Sequence, residues 1–184
     1  MAQCHPAQDA SSLHPLLAEY VHGVSGVFDA GNESIAPEMV AGLVPPLLGE
    51  KDLLRPDQRV SDPECYKRHL LYAEPKGRFT LLALVWLPGQ LTPVHGHNAW
   101  CVVGVHEGAI GVTTYRRDNP HLTDCCALST SGDFTAPAGT VSFVQPDPEG
   151  IHRLSNTSAK AVITLHTYGM NLLNEPTAIN KIYA

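Results

Sequence analysis

Two histidines, His95 and His97, stand one residue apart in the stretch GQLTPVHGHNAWCVVGVHEG, residues 89–108. Side chains alternate across a strand, so on extended backbone both imidazoles leave the same face. Two imidazoles placed this way can point at one metal ion, with a third ligand coming from elsewhere in the chain. The approach to the pair is the apolar run FTLLALVWL, residues 79–87, which reads as a buried strand. Pro88 and Gly89 then turn the chain. Taken alone, the pair also fits two chance histidines on a solvated strand, so the rest of the chain decides.

That chain has 184 residues, enough for one domain with a sizeable core. An apolar content of 43% against 16% charged residues indicates a folded chain with a modestly polar surface. The net charge of -6, without a Lys/Arg cluster, argues against nucleic acid or anionic membranes as partners. No apolar run reaches transmembrane length. The first residues, MAQCHPAQDASSLHP, carry neither a basic region nor a long apolar core, so no secretory signal is expected. Cysteines stand at Cys4, Cys65, Cys101, Cys125 and Cys126, an odd number without framework spacing. Reduced thiols in a cytoplasmic setting are the reading that follows.

The elements that must position the histidines fall into two groups. Residues 1–60 read as a helical N-terminal extension packed on the rest, and 61–184 as a β-barrel, forming a single domain overall. Ser11 and Ser12 could cap a helix with Leu13, Leu16, Leu17, Tyr20 and Val21 at helical spacing. A second helix is expected over 37–48, weakened by Pro45 and Pro46, which lack backbone donors. His5, His14 and His22 read as surface residues. From residue 65 onward the pattern changes to short strands, expected at 65–73, 79–87, 100–105, 110–115, 124–128, 140–144 and 161–168. Turn signals include Glu107-Gly108, Ser131-Gly132-Asp133 and Pro137-Ala138-Gly139. Many short strands at regular spacing imply an antiparallel sandwich or barrel.

Here the residues carry a resemblance. Gly89, His95-Gly96-His97, Cys101 and Gly108, at their spacing, resemble the first motif of the cupin family, with Cys101 in place of its usual glutamate ligand. The second motif is present in loosened form as Pro137-Ala138-Gly139 and, after an insertion, His152 with Asn156. Within the cupins the arrangement resembles the thiol dioxygenases, the cysteine dioxygenase family, over roughly residues 65–169 with Trp86 in register. The resemblance implies a mainly β, jelly-roll cupin barrel behind a short helical segment. It also implies an Fe(2+) cofactor, held by His95, His97 and His152.

Three neutral imidazoles leave several positions of a metal open on one side, which suits a redox metal that must hold substrate and oxygen together. The commoner non-heme iron triad has two histidines and a carboxylate. A third histidine in its place leaves the site with an extra positive charge, which favours an anionic thiolate. Zinc competes, because three histidines and a water also make a hydrolytic site. The sequence offers no well-placed general base, and Glu107 reads as a turn residue, so iron is favoured.

Over 161–168, Val162, Thr164, His166 and Tyr168 share one face of a strand and Ala161, Ile163 and Leu165 the other. Hydroxyl, imidazole and phenol on one face need water or a polar cavity. Thr164-Leu165-His166-Thr167-Tyr168 resembles the Ser-x-His-x-Tyr triad of thiol dioxygenases, with threonine in place of serine. By that resemblance Thr164 orients His166, and His166 donates to Tyr168 near oxygen. Tyr66-Lys67-Arg68 resembles the Tyr-x-Arg that holds the amino-acid carboxylate in cysteine dioxygenases, where the related 3-mercaptopropionate dioxygenases usually have glutamine. The stretch His97-Asn98-Ala99-Trp100 resembles the mercaptopropionate group more closely. Cys101 stands where mammalian cysteine dioxygenases have the cysteine that becomes joined to the active-site tyrosine, and it shares strand parity with His95 and His97.

The expectation is therefore an iron-dependent thiol dioxygenase that adds both atoms of O2 to the sulfur of a small thiol carboxylic acid. Cysteine going to cysteine sulfinic acid is favoured over 3-mercaptopropionate or mercaptosuccinate. Tyr168, His166, Thr164 and Cys101 are the catalytic candidates. Arg68, Tyr66 and His166 are the candidates for substrate binding. A non-catalytic metal-binding cupin and a zinc-dependent isomerase or hydrolase are the competing classes.

Overall fold

The structure is a computed structural model that describes residues 12–119, 127–173 and 180–183. Helix α1 spans Pro15–Asp29. Its first turn is fixed by Pro15, whose missing N–H costs nothing at that position. The cap is consequently His14, whose Nδ1 accepts from the Leu16 N–H at 3.3 Å, rather than the expected serines. His22 is exposed and His14 half-buried, while His5 and Ser11 lie outside the described residues. Helix α2, Ala36–Leu43, stops short of the expected 37–48. Pro45 and Pro46 cannot donate to a continuing helix, and the chain tightens into a 3-10 turn at Pro45–Leu47.

Among the described residues ten strands follow: β1 Lys67–Ala73, β2 Thr80–Trp86, β3 His95–His97, β4 Cys101–Glu107, β5 Ala109–Arg117, β6 Leu128–Pro137, β7 Val141–Val144, β8 His152–Ser155, β9 Val162–Tyr168 and β10 Asn180–Ile182. They form two five-stranded antiparallel sheets, ordered β1-β2-β9-β4-β7 and β10-β3-β8-β5-β6. The mainly β, two-sheet cupin expected from the motifs is the fold observed. Most strand boundaries move by one or two residues from those expected. The expected strand at 124–128 falls mainly on residues outside the description, and the turn signal Ser131-Gly132-Asp133 lies inside β6. There the pairing with β5 shifts register between Thr114 and Tyr115, so Ser131 and Gly132 form an edge bulge instead of reversing the chain.

The sheet that contains β2 and β9 is covered on both faces. Leu17, Tyr20, Val21 and Val24 of α1 pack with Val40 of α2 against Leu81, Ala83 and Val85 of β2 and Ile163 and Leu165 of β9. The alternate residues, Leu82, Leu84, Trp86, Val162 and Tyr168, turn into the space between the sheets. Double coverage is why the run at 79–87 is continuously apolar rather than alternating. Just past α2, Val44 packs closely over Gly104 of β4, where a Cβ would meet its Cγ1 at 2.7 Å. No helix among the described residues is long and apolar enough to cross a membrane.

One buried polar link ties α1 to the strand carrying the polar triad. Tyr20 Oη and Thr167 Oγ1 are 2.6 Å apart and share a hydrogen bond on the helical side of β9. Tyr20→Phe strands the Thr167 hydroxyl in an apolar layer and should lower unfolding stability by about 1–3 kcal/mol. Urea denaturation measures this, and metal affinity should stay unchanged because the pair faces away from the histidines. A variant as stable as the wild type would show that the bond contributes nothing net.

Candidate metal centre

Strand β3 is only three residues long, yet all three are buried. It is held from both sides: His95 pairs with His152 of β8, and Lys181 of β10 pairs with Gly96. That double pairing brings the third histidine directly opposite the first, which spacing along the chain could not reveal. The side-chain ligand atoms of His95, His97 and His152 all lie within 4.8 Å of one another. Ring centroids are 4.4 Å apart for His95 and His152, 4.9 Å for His95 and His97, and 5.0 Å for His97 and His152.

The hydrogen bonds select the nitrogen that faces inward. His95 Nδ1–H donates to the Pro93 carbonyl at 3.0 Å, and His152 Nδ1–H to the Gly150 carbonyl at 2.7 Å. Each bond fixes the neutral tautomer and leaves Nε2 as a lone-pair donor. His97 is 2% exposed, and neither of its ring nitrogens has a hydrogen-bond partner among the described residues. A buried imidazole without a partner is unfavourable unless something else takes its lone pair. Three neutral nitrogen donors around one point fit a divalent transition metal. Burial, then the neighbouring His152, pushes His95 down to about 4. The same two causes, followed by His95 itself, take His97 to about 2, and burial lowers His152 as well. All three are ready to ligate at neutral pH without losing a proton.

The opposite wall of this small cavity comes from the other sheet. Thr164, His166 and Tyr168 of β9 all point inward, and β9 is buried along its whole length, which excludes a polar face in solvent. Trp86 Nε1–H donates to Thr164 Oγ1 at 2.9 Å, and Thr164 Oγ1 lies 2.8 Å from His166 Nε2. Thr164 Oγ1 and His166 Nε2 thus share a hydrogen bond that orients the ring, and His166 Nδ1 lies 3.4 Å from the Tyr168 hydroxyl. Burial first, and then the charge of Arg68, brings His166 down to about 3. Burial also pushes Tyr168 well above the ordinary phenol range, so it keeps its proton.

Cys101 pairs across the sheet with Tyr168 and is fully buried. Its Sγ lies 3.9 Å from His166 Nδ1. Burial raises the thiol, with a hydrogen bond from Tyr168 acting in the opposite sense. The cavity is also lined by Tyr66 and Arg68. Arg68 Nη2–H donates to the Tyr66 hydroxyl at 3.0 Å, and the Tyr66 ring stacks on Trp86 with centroids 4.2 Å apart. Arg68 is the charged residue of that lining, and its field reaches His95, His97 and His166. Glu107 does not line the cavity; it ends β4 and pairs with Arg59. Tyr66, Arg68, His95, His97, His152, His166 and Tyr168 line this cavity, while Thr164 and Cys101 stand behind it against His166. Cys125 and Cys126 lie outside the described residues.

Sequence reasoning passed over Asp147. Its backbone N–H donates to the His97 carbonyl at 2.7 Å, and its carboxylate accepts from Arg117 at 2.6 Å, from Lys181 at 3.3 Å and from the Tyr183 hydroxyl. The side chain packs so closely on Gly96 that a Cβ there would lie 2.7 Å from Oδ1. The glycine between the histidines was the available signal, since an interposed glycine implies close approach. Asp147→Ala should therefore loosen His97 and weaken divalent-metal affinity about tenfold, the lower range for a residue that orients ligands. Titration with a metal indicator checks it, and unchanged affinity would remove Asp147 from the support of the site.

The metal-free protein should also be sensitive to acid. Each cluster histidine has an ordinary value of 6.5 and a lower folded one, so the unfolded chain binds more protons. Stability is then complete above that ordinary value and drains as pH falls, for His95 until about 4. Thermal unfolding without metal should shift to lower temperature between about pH 7 and pH 5. A flat profile would contradict buried, neutral imidazoles.

Comparison with known proteins adds a family to this geometry. Solved structures similar to this chain include an uncharacterised conserved protein with a double-stranded β-helix domain from Klebsiella pneumoniae, at 14% identity and a TM-score of 0.46, covering 73% of this chain and 99% of that one. A cupin superfamily protein from Desulfitobacterium hafniense matches at 10% identity and a TM-score of 0.46, over 68% and 96% of the two chains. A protein from Thermus thermophilus matches at 21% identity and 0.45, over 64% and 97%. Residues 58–173 match the family described as cysteine dioxygenase type I. That span begins ahead of β1, ends just beyond β9 and takes in every residue of the histidine cavity. On a match of that extent, the chain belongs to the cysteine dioxygenase type I family.

Proposed function

We propose that the protein is an iron(II)-dependent thiol dioxygenase acting on a small thiol that carries a carboxylate, with cysteine as the favoured substrate. The observation that carries this reading is the joint lining of one small cavity by the three clustered imidazoles of His95, His97 and His152, the His166 imidazole, the Arg68 guanidinium and the phenols of Tyr66 and Tyr168. Among the described residues no carboxylate lines that cavity, which weighs against a hydrolytic zinc site because such a site needs a base to take protons from water. Iron held by His95, His97 and His152 would supply redox chemistry and one centre at which thiol and dioxygen meet.

The chain's own groups do the rest. Arg68 takes the substrate carboxylate in a two-pronged hydrogen bond, with Tyr66 holding the guanidinium in place. Fixing the carboxylate at one wall and the sulfur at the other supplies orientation. Tyr168 keeps its proton and donates a hydrogen bond to oxygen, while His166 and Thr164 hold the phenol at the right angle. Both oxygen atoms of O2 end on sulfur as the O–O bond breaks, giving a sulfinic acid; sulfur loses the electrons that dioxygen gains. The cross-strand position of Cys101 supports a further reaction, a thioether between its sulfur and the Tyr168 ring. Dioxygen would accept the two hydrogens lost, leaving as hydrogen peroxide. Cys65 and Cys101 are both unbridged, which supports a cytoplasmic setting.

Metal analysis of the protein as purified, with oxygen uptake on a panel of thiols, tests the reading. Iron and thiol-dependent uptake are expected, and His152→Ala should lose most of both. Full iron occupancy in that variant would remove His152 from the ligand set. Arg68→Ala should weaken use of cysteine and 3-mercaptopropionate by about ten- to a hundredfold, since a hydrogen bond to a charged group contributes about 1.5–3 kcal/mol. Cysteamine, which has no carboxylate, should be hardly affected. Equal wild-type rates on all three thiols would rule out a carboxylate clamp. Peptide mass analysis after turnover tests the thioether; only unlinked peptides from active enzyme would leave Cys101 as a packing residue.

A further inference from the structure

The space between the sheets is divided along β8. On one side lies the polar cavity described above, walled by β1, β2 and β9 against β3 and β8. On the other side, β4 and β7 face β5 and β6 across a second cavity of about 110 Å³. Its walls are chiefly Val103, Val105, Ile110, Val112, Ala136 and Val144, and no charged residue lines it. His152 and Leu154 line both cavities, so a single layer of side chains separates the apolar one from the histidine cluster. At its outer end the sandwich is open between β6 and β7, the edge strands of the two sheets, where Phe134 and Phe143 stand partly in solvent.

We infer that this apolar cavity is the entry and holding site for dioxygen, which reaches the metal-binding cluster past Leu154 and the His152 ring. The identity of the ligand rests on the dioxygenase reading; the existence of an apolar gas site does not. These walls offer a carboxylate or an ammonium group no charged partner, only the hydroxyls of Thr114, Thr140 and Ser142 and the shared His152, so the charged thiol is favoured on the Arg68 side. Water gains little against the apolar walls, because a water molecule needs two to four polar partners and the lining supplies few, chiefly Thr114, Thr140 and Ser142. A cavity of about 150 Å³ lined by Leu, Ile and Phe stays dry and takes up xenon, so a pocket of this size and lining suits a diatomic gas. Two routes also answer a geometric demand of the proposed reaction. A thiol anchored between Arg68 and the histidines closes the small polar cavity, and the second reactant must then arrive from another side. His152 is the cluster histidine shared with the apolar side, which makes β8 the place of arrival.

Two cavity-filling variants test this, Val112→Phe and Ala136→Leu, neither of which lines the polar cavity. Xenon under pressure, followed by 129Xe NMR or in xenon-treated crystals, should occupy the wild-type cavity and be excluded from a folded variant. In that variant the KM for dioxygen should rise several-fold, while the KM for the thiol and the iron content stay at wild-type values. An unchanged dioxygen KM in a variant that excludes xenon overturns the inference, and so does wild-type protein that takes up no xenon at this position. A rise in the thiol KM instead would assign the cavity to the substrate's own substituent. Wild-type protein that binds xenon here but consumes no dioxygen with any thiol would overturn both the dioxygenase reading and dioxygen as the occupant, leaving an apolar gas site.

Discussion

Everything at this site depends on keeping three imidazoles neutral in a place water does not reach. Removing an imidazolium from water is so unfavourable that the fold selects the uncharged ring, and the ring then has a lone pair to give. Two carbonyls, those of Pro93 and Gly150, complete the selection by occupying the outward nitrogens of His95 and His152. The price of burying polar groups is thereby turned into a coordination site, because His97 finds no hydrogen-bond partner among the described residues. Arg68 on the opposite wall adds a second constraint. Its charge opposes protonation of His95, His97 and His166 and attracts an anion into the same space.

The rigidity of this arrangement comes from the sheets on either side. Strand β9 is clamped by β2 and β4 and covered on its outer face by α1, so the order Trp86, Thr164, His166, Tyr168 runs along a strand with little freedom to shift. Strand β3 is too short to be stable alone and owes its position to β8, β10 and the Asp147 cluster. The same architecture that fixes the polar half leaves a mainly apolar half beside it, since β4, β5, β6 and β7 line that space chiefly with Val, Ile, Ala and Phe. One sandwich therefore presents two chemically different spaces to the same histidine.

Much of the site was legible because it is written locally. An i, i+2 pair of histidines and the alternation of Thr164, His166 and Tyr168 need only strand parity to be placed on one face. The run at 79–87 announced burial on both faces through the absence of any polar alternation. What could not be read is what tertiary pairing decides. The bulge at Ser131 and Gly132 uses residues that would serve equally in a turn, and only the register against β5 distinguishes the two. Strands β8 and β10 are short and polar, and they are strands because β3 and β5 present open edges to them. Asp147 lies far along the chain from Gly96, so no local pattern connects them. The N-terminal cap moved from a serine to His14 because Pro15 sets the first turn.

On the proposed reading, these neutral imidazoles assemble a site where both atoms of dioxygen are passed to a thiol. The direct measurement is turnover of cysteine by the iron-loaded protein under 18O2 in ordinary water, with mass analysis of the product. A sulfinic acid in which both sulfur-bound oxygens carry the label is expected. A product with only one labelled oxygen, or a disulfide as the sole product, would contradict it.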